Sequence, residues 1–243
     1  SSDLNPQTST TTEPTTPTEP IDTRVEASKI TLSNPTIKEG KDITITATVE
    51  NAPQTDLIVT LNNGEKITIK AGETSGSITF TNPNTEDVYK DSSTETYTIS
   101  GTEGGNYKEL DISDKSTVTI VDTIDATNYT LTSIASGDEE NASITYTVTF
   151  DNPTTAAETV SFKVGNETIT IDVPANSTGA SKEVSYKDAV KDYYEDVTNV
   201  PAPTDLSSTN NSKFEGLNPV NNATAKSFED HNDATNYTLT SIA

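Results

Sequence analysis

Nearly every side chain in this sequence that could do chemistry is a carboxylate. The 243 residues include 38 Asp and Glu against 15 Lys and Arg, a single His and no Cys, for a net charge of −23. Thiolate ligands, disulfides and cysteine nucleophiles are thereby excluded. A serine triad would rest on His231 alone, which stands in Glu229-Asp230-His231-Asn232-Asp233 and reads as a spacer. Carboxylate pairs abound, but nothing sets two of them in a walled cleft with aromatic sugar platforms, and Trp is absent. Glycosidase chemistry is therefore set aside, and no enzymatic activity is expected. What remains open to an oxygen-rich sequence is holding a hard cation. Ca2+ accepts about six to eight oxygens in loose geometry, from carboxylates, carbonyls and water together. Mg2+ demands tighter octahedral geometry, and zinc prefers nitrogen or sulfur. The competing reading is a solvated acidic rim that holds no ion.

Which carboxylates meet depends on the elements that carry them. The run DATNYTLTSIA stands at Asp125–Ala135 and again at Asp233–Ala243. Ile21-Asp22-Thr23 and Ile30-Thr31-Leu32 repeat the pattern of Ile124-Asp125-Ala126 and Tyr129-Thr130-Leu131 more weakly. Fixed-period self-similarity marks tandem modules. The expected organisation is a Thr/Pro-rich linker over 1–20, repeat 1 over 21–124, repeat 2 over 125–232, and the first strand of a third repeat over 233–243. The linker carries four prolines and one aliphatic residue, too little to offset the entropy of ordering. The sequence reads as a segment of a longer protein.

Inside each repeat the apolar residues alternate, the period of half-buried strands. In repeat 1 the inward sets are Ile43, Ile45, Ala47, Val49; Leu57, Val59, Leu61; Ile67, Ile69; Ile78, Phe80; Tyr97, Ile99; and Val118, Ile120. In repeat 2 they are Ile144, Tyr146, Val148, Phe150; Val160, Phe162, Val164; Ile169, Ile171; and Val184, Tyr186, with a less regular last strand ending at Phe228. Asn63-Gly64 predicts a two-residue type I′ hairpin, and Gly165-Asn166 holds the matching place. Tyr186–Val197 is expected to form a helical turn or two. The fold class is all-β: tandem immunoglobulin-like β-sandwiches of about seven strands each, without the cysteine pair or core Trp of antibody domains.

In such a sandwich successive strands reverse direction, so the first, third and fifth connections share the end beside the next repeat. For repeat 1 this gathers Glu39, then Glu86, Asp87 and Asp91, with Asp122 and Asp125 in the linker. For repeat 2 it gathers Asp188, Asp192, Glu195 and Asp196, with Asp230 and Asp233. Carboxylates packed so closely repel unless something neutralises them. The candidate metal ligands are Glu86, Asp87, Asp91, Asp122, Asp125, Asp196, Asp230 and Asp233, and calcium is the ion expected. Neither an EF-hand loop nor a nonapeptide calcium repeat is present.

The runs IKEGKDITITATVENAP, VTLNNGEKITIKAGETSGSITF, EDVY, GGNYKEL and TVTIVDTID resemble the extender repeats of giant RTX-type bacterial adhesins, long cell-surface proteins of Gram-negative bacteria used in biofilm attachment. The resemblance covers nearly all of repeat 1. Repeat 2 keeps VTFDNP and has SKFEGL in place of GGNYKEL, but departs between Lys187 and Asn211, where a longer loop is expected. The resemblance implies type I secretion, an extracellular location, tandem β-sandwiches and calcium at the junctions.

The net charge excludes nucleic acid as a partner, since phosphate binding needs clustered Lys and Arg. No stretch approaches the ~20 apolar residues of a membrane span. Gly104-Gly105 and Gly137 read as turns, since no helix follows for a phosphate loop. The partners expected are neighbouring repeats of the same chain, with the chain itself a monomer. Two functions follow. One is a structural spacer stiffened by calcium that projects a distal binding domain. The other is a ligand-binding sandwich that recognises carbohydrate or protein through the end loops of repeat 2, where Tyr193 and Tyr194 sit among acids.

Overall fold

The computed structural model describes residues 20–138, 141–187 and 198–229. The predicted linker up to Glu19, the predicted helical turns past Lys187, Tyr193, Tyr194, His231 and the start of the third repeat lie outside the described residues. The regular elements described are eighteen β-strands, and the chain divides into two compact units.

The first unit holds the described residues up to Ser33, Ile45–Ile78 and Tyr97–Ser116. It contains β1 (Ser28–Leu32), most of β3 (Ile43–Val49), β4 (Leu57–Leu61) and β5 (Lys66–Ile69), the start of β6 (Ser75–Phe80), most of β7 (Ser93–Gly104), and β8 (Leu110–Asp111). β1 pairs antiparallel with β3 and parallel with β8. β4 pairs antiparallel with β5 and with β7. Side chains alternate across a strand, so each strand sends every second residue inward. β1 is buried at Ser28, Ile30 and Leu32, and β4 at Leu57, Val59 and Leu61. These inner faces, with Ile67 and Ile69 of β5, make a sandwich core.

The second unit holds Asn34–Thr44, Thr79–Thr96 and the described residues from Thr117 on. Here β2 (Thr36–Lys38) runs parallel to β9 (Lys115–Val121). β10 (Ala126–Ser136), β11 (Ser143–Phe150), β14 (Gly179–Ser185) and β17 (Gly216–Asn221) form one sheet in the order β14-β11-β10-β17. β12 (Glu158–Val164), β13 (Glu167–Val173) and β16 (Thr204–Ser208) form a second, in the order β13-β12-β16, and β15 (Thr198–Val200) pairs with β18 (Lys226–Phe228). Tyr129, Leu131, Tyr146, Val148 and Phe150 from the first sheet meet Val160, Phe162, Ile169, Ile171 and Val173 from the second, with Phe214 and Phe228 buried among them. Each such side chain contributes about 1.5–3 kcal/mol of hydrophobic stabilisation on burial.

The alternation argument thus locates the core: the inward sets of β3, β4, β5, β7, β9, β11, β12 and β13 are all buried. Ile78, Phe80, Val184 and Tyr186 are only half-buried, because β6 and β14 lie at sheet edges. Strands of two or three residues, such as β2, β8, β15 and β18, carry too little pattern to be read from periodicity. The Asn63-Gly64 hairpin is where it was expected, but its turn type differs. Gly64 has φ +89° while Asn63 does not adopt positive φ. Gly64 N donates to Leu61 O at 3.0 Å and Leu61 N to Glu65 O at 2.8 Å. The loop is therefore three residues with glycine in the left-handed position, a type I turn closed by a bulge, and not type I′. Asn63 Oδ1 takes the Glu65 N–H at 3.1 Å, which stabilises the three-residue loop.

Candidate metal centre

Within the second unit, carboxylates from three distant parts of the chain meet. One oxygen each from Glu39, Asp122 and Glu215 lies within 4.8 Å of the other two. Two ligands across a Ca2+ ion, each at about 2.4 Å, stand about 4.8 Å apart. The spacing suits one shared ion.

Glu39 follows β2, and its position comes from the parallel pairing of β2 with β9: its N–H donates to Val121 O at 3.0 Å. Its carboxylate is fully buried. Oε1 accepts from Thr123 N at 2.7 Å and from Thr123 Oγ1 at 3.3 Å. Oε2 is buried with no hydrogen-bond partner. A buried carboxylate oxygen without a donor is costly, and this carboxylate belongs to the cluster with Asp122 and Glu215. Gly40, at φ +65°, donates its N–H to Asn84 O at 3.0 Å. A Cβ there would stand 3.0 Å from Glu86 Cβ, so glycine lets the Glu86 loop close on this turn.

Asp122 ends β9's run into the linker. Its Oδ1 accepts from Asp91 N at 3.3 Å, and its own N–H donates to Ser92 Oγ at 3.3 Å. Glu215 arrives 90 residues after Asp125, in the turn before β17. Asp125 N donates to Glu215 Oε2 at 2.8 Å, and Gly216 N returns a bond to Asp125 O at 3.2 Å. Glu215 Oε1 is buried without a partner, like Glu39 Oε2.

The electrostatics follow from the crowding. Glu215 sits above the usual carboxylate range. Burial is the main cause, the bond from Asp125 N opposes it, and the Glu39 and Asp122 carboxylates add to it. Asp125 is also raised, first by its hydrogen bond with Glu86, then by burial and by the charge of Glu86. Crowded carboxylates raise one another, and a bound cation would relieve the same repulsion. The donors are all oxygens, which suits a hard cation and neither zinc nor copper.

Of the eight residues predicted as ligands, the structure brings Asp122 into the cluster and Asp125 and Glu86 against it. Glu86 also accepts from Thr123 Oγ1. Asp87 turns its carboxylate to Tyr89 N at 2.7 Å, closing its own loop. Asp91 accepts from Asn84 Nδ2 at 3.2 Å and reaches Asp122 through its backbone. Asp196, Asp230 and Asp233 lie outside the described residues. Glu215 was missed. The available signal was its place in SKFEGL, the sixth connection of repeat 2, which the same strand-reversal argument sends to the end that starts that repeat.

Residues 26–123 match the model of the LapA domain. The match supports a bacterial adhesin-like protein, cell-surface or extracellular. No curated protein matches the chain. Among solved structures, a two-domain protein of unknown function from Bacteroides fragilis is 11% identical, with a TM-score of 0.31 over 66% of this chain and 84% of its own. A structure described as giving insight into host cell surface retention of a 1.5-MDa bacterial ice-binding adhesin is 17% identical, with a TM-score of 0.25 over 78% of this chain and 65% of its own. A tandem from titin is 8% identical, with a TM-score of 0.23 over 81% of this chain and 66% of its own.

Proposed function

We propose that this chain is a non-catalytic extender segment of a repetitive, secreted bacterial adhesin, stiffened by Ca2+ and projecting a distal binding domain away from the cell. The observation that carries the cation is Glu39: a fully buried carboxylate with one oxygen lacking a donor, in a group with one oxygen each of Asp122 and Glu215 within 4.8 Å. Glu39, Asp122 and Glu215 hold the ion, with Glu86 and Asp125 beside them.

The ion ties together the turn after β2, the loop after β6, the linker from Asp122 to Asp125 and the turn before β17. Without it, like charges drive these segments apart or take up protons. With it, the linker has one position. Repetition of such a joint suits length and stiffness and does not diversify a recognition site.

Calorimetric titration of the chain with Ca2+ tests the ion, and a trace showing only dilution heats overturns it. Small-angle scattering tests the stiffening. The chelated chain is expected to bend or shorten, and profiles that superimpose in Ca2+ and EDTA remove the mechanical part of the proposal.

A further inference from the structure

Glu215 owes its place to a contact that involves no charge. Tyr89 and Phe214 form an isolated antiparallel β-bridge. On either side of it, Lys90 N donates to Lys213 O at 2.8 Å and Glu215 N donates to Val88 O at 3.0 Å. The rings of Tyr89 and Phe214 pack at 5.2 Å between centroids, and Phe214 continues the stack onto Phe150 at 5.9 Å. Phe150 in turn stacks on Tyr129 at 5.4 Å. Phe214 is fully buried. The Tyr89 hydroxyl reaches past the ring stack to donate to Pro153 O. The loop after β6 is thus pinned to the core of the second unit by one aromatic side chain, and the residue after Phe214 in that bridge is Glu215.

We propose that Tyr89 is the positioning residue of the cation site, acting through the Tyr89–Phe214 bridge to hold Glu215 at the spacing an ion needs. This rests on the cation reading above. The bridge also persists when the ion is removed, because none of its bonds uses a carboxylate side chain. The joint therefore has two parts. The aromatic pin sets where the segments meet, and the ion sets how firmly the linker is held there.

A site assembled in only a fraction of molecules binds with its affinity reduced by that fraction. An aromatic contact of ordinary strength corresponds to up to about a tenfold change in that fraction, so the Ca2+ dissociation constant of Tyr89→Ala is expected to rise by up to about tenfold. The experiment is calorimetric Ca2+ titration of the full chain as wild type, Tyr89→Ala and Tyr89→Phe, with urea unfolding of each in EDTA. Tyr89→Phe keeps the ring and is expected to bind within about threefold of wild type, which separates pinning from general loss of stability. A Tyr89→Ala dissociation constant within twofold of wild type overturns the positioning role while leaving the site standing. Absence of binding by the wild type overturns the site, and this role with it. Should Tyr89→Ala fail to fold, Tyr89→Leu replaces it under the same criterion, since it fills the space without the ring stack.

Discussion

Replacing Glu39 with Gln has opposite consequences with and without the ion. The substitution keeps the shape of the side chain. Oε1 still accepts from Thr123 N and Thr123 Oγ1. The amide nitrogen takes the place of Oε2, the buried atom with no donor, and the cluster with Asp122 and Glu215 loses one negative charge. Two carboxylate charges at the 4.8 Å limit of the cluster repel by roughly 3 kcal/mol at an effective dielectric near 20. Proton uptake by the raised Glu215 and exposure of Asp122 remove part of that repulsion. A net gain of about 1–3 kcal/mol is expected for Glu39→Gln in EDTA, the scale of one buried polar group changing from unsatisfied to bonded. For a chain of this size that is a rise in Tm of roughly 2–4 °C per kcal/mol. In Ca2+ at about 100 times its dissociation constant, wild type gains about 2.7 kcal/mol through linkage, and Glu39→Gln gains little because the site has lost a charged ligand. The lead of Glu39→Gln in EDTA is therefore erased in Ca2+, and the stability order inverts wherever that lead is below about 2.7 kcal/mol. Scanning calorimetry of both in both buffers reads this directly. If Glu39→Gln melts below wild type in EDTA, or rises equally with Ca2+, the orphan oxygen is not a ligand.

Since the folded state holds protons on Glu215 and Asp125 above the usual range, stability in EDTA should fall as pH rises from that range through their raised values. Ca2+ binding in the same window should expel protons, visible as binding heats that differ between buffers of unequal ionisation enthalpy. Equal heats would count against it. Glu158 behaves in the opposite sense: burial alone would raise it, but bonds from Thr209 and from Ser212 outweigh this and leave it below the ordinary 4.5. Its contribution is present above that value and is lost as pH falls through the lower folded one. Glu158→Ala should remove about 3 kcal/mol in urea unfolding at neutral pH by orphaning those donors. Phe214→Ala, which empties the centre of the Tyr89–Phe150 stack, should lower the urea-derived stability by about 3–5 kcal/mol, and a loss below about 1 kcal/mol would mean the stack collapses without strain.

The longer strands of both units were legible because each reports its own burial. Ile43-Thr44-Ile45-Thr46-Ala47-Thr48-Val49 alternates buried and outward positions along β3 as its residue types alternate. A side chain period of two is a local property, and it survives whatever the strand packs against. The Asn62-Asn63-Gly64 turn was legible in place but not in type, because the choice between two and three loop residues depends on strand register. The acid surplus and the recurrence of Asp122 and Asp125 near a repeat boundary were likewise readable, and with them the expectation of a cation.

What the tertiary structure alone decided is which acids count. Asp87 and Asp91 stand beside Glu86 and have the same chemistry, yet Asp87 closes its own turn on Tyr89 N and Asp91 engages Asn84. Glu39 was gathered at the repeat 1 junction by strand order but not named as a ligand, and its second oxygen proved buried and unbonded. Glu215 reaches Asp125 across 90 residues, through a β-bridge between Tyr89 and Phe214 that no periodicity announces. Sequence by itself determined strands, inward faces, turn positions and the sign of the charge, because these follow from neighbours along the chain. Which carboxylates meet waits on register and long-range packing, and so does which of their oxygens are left without donors.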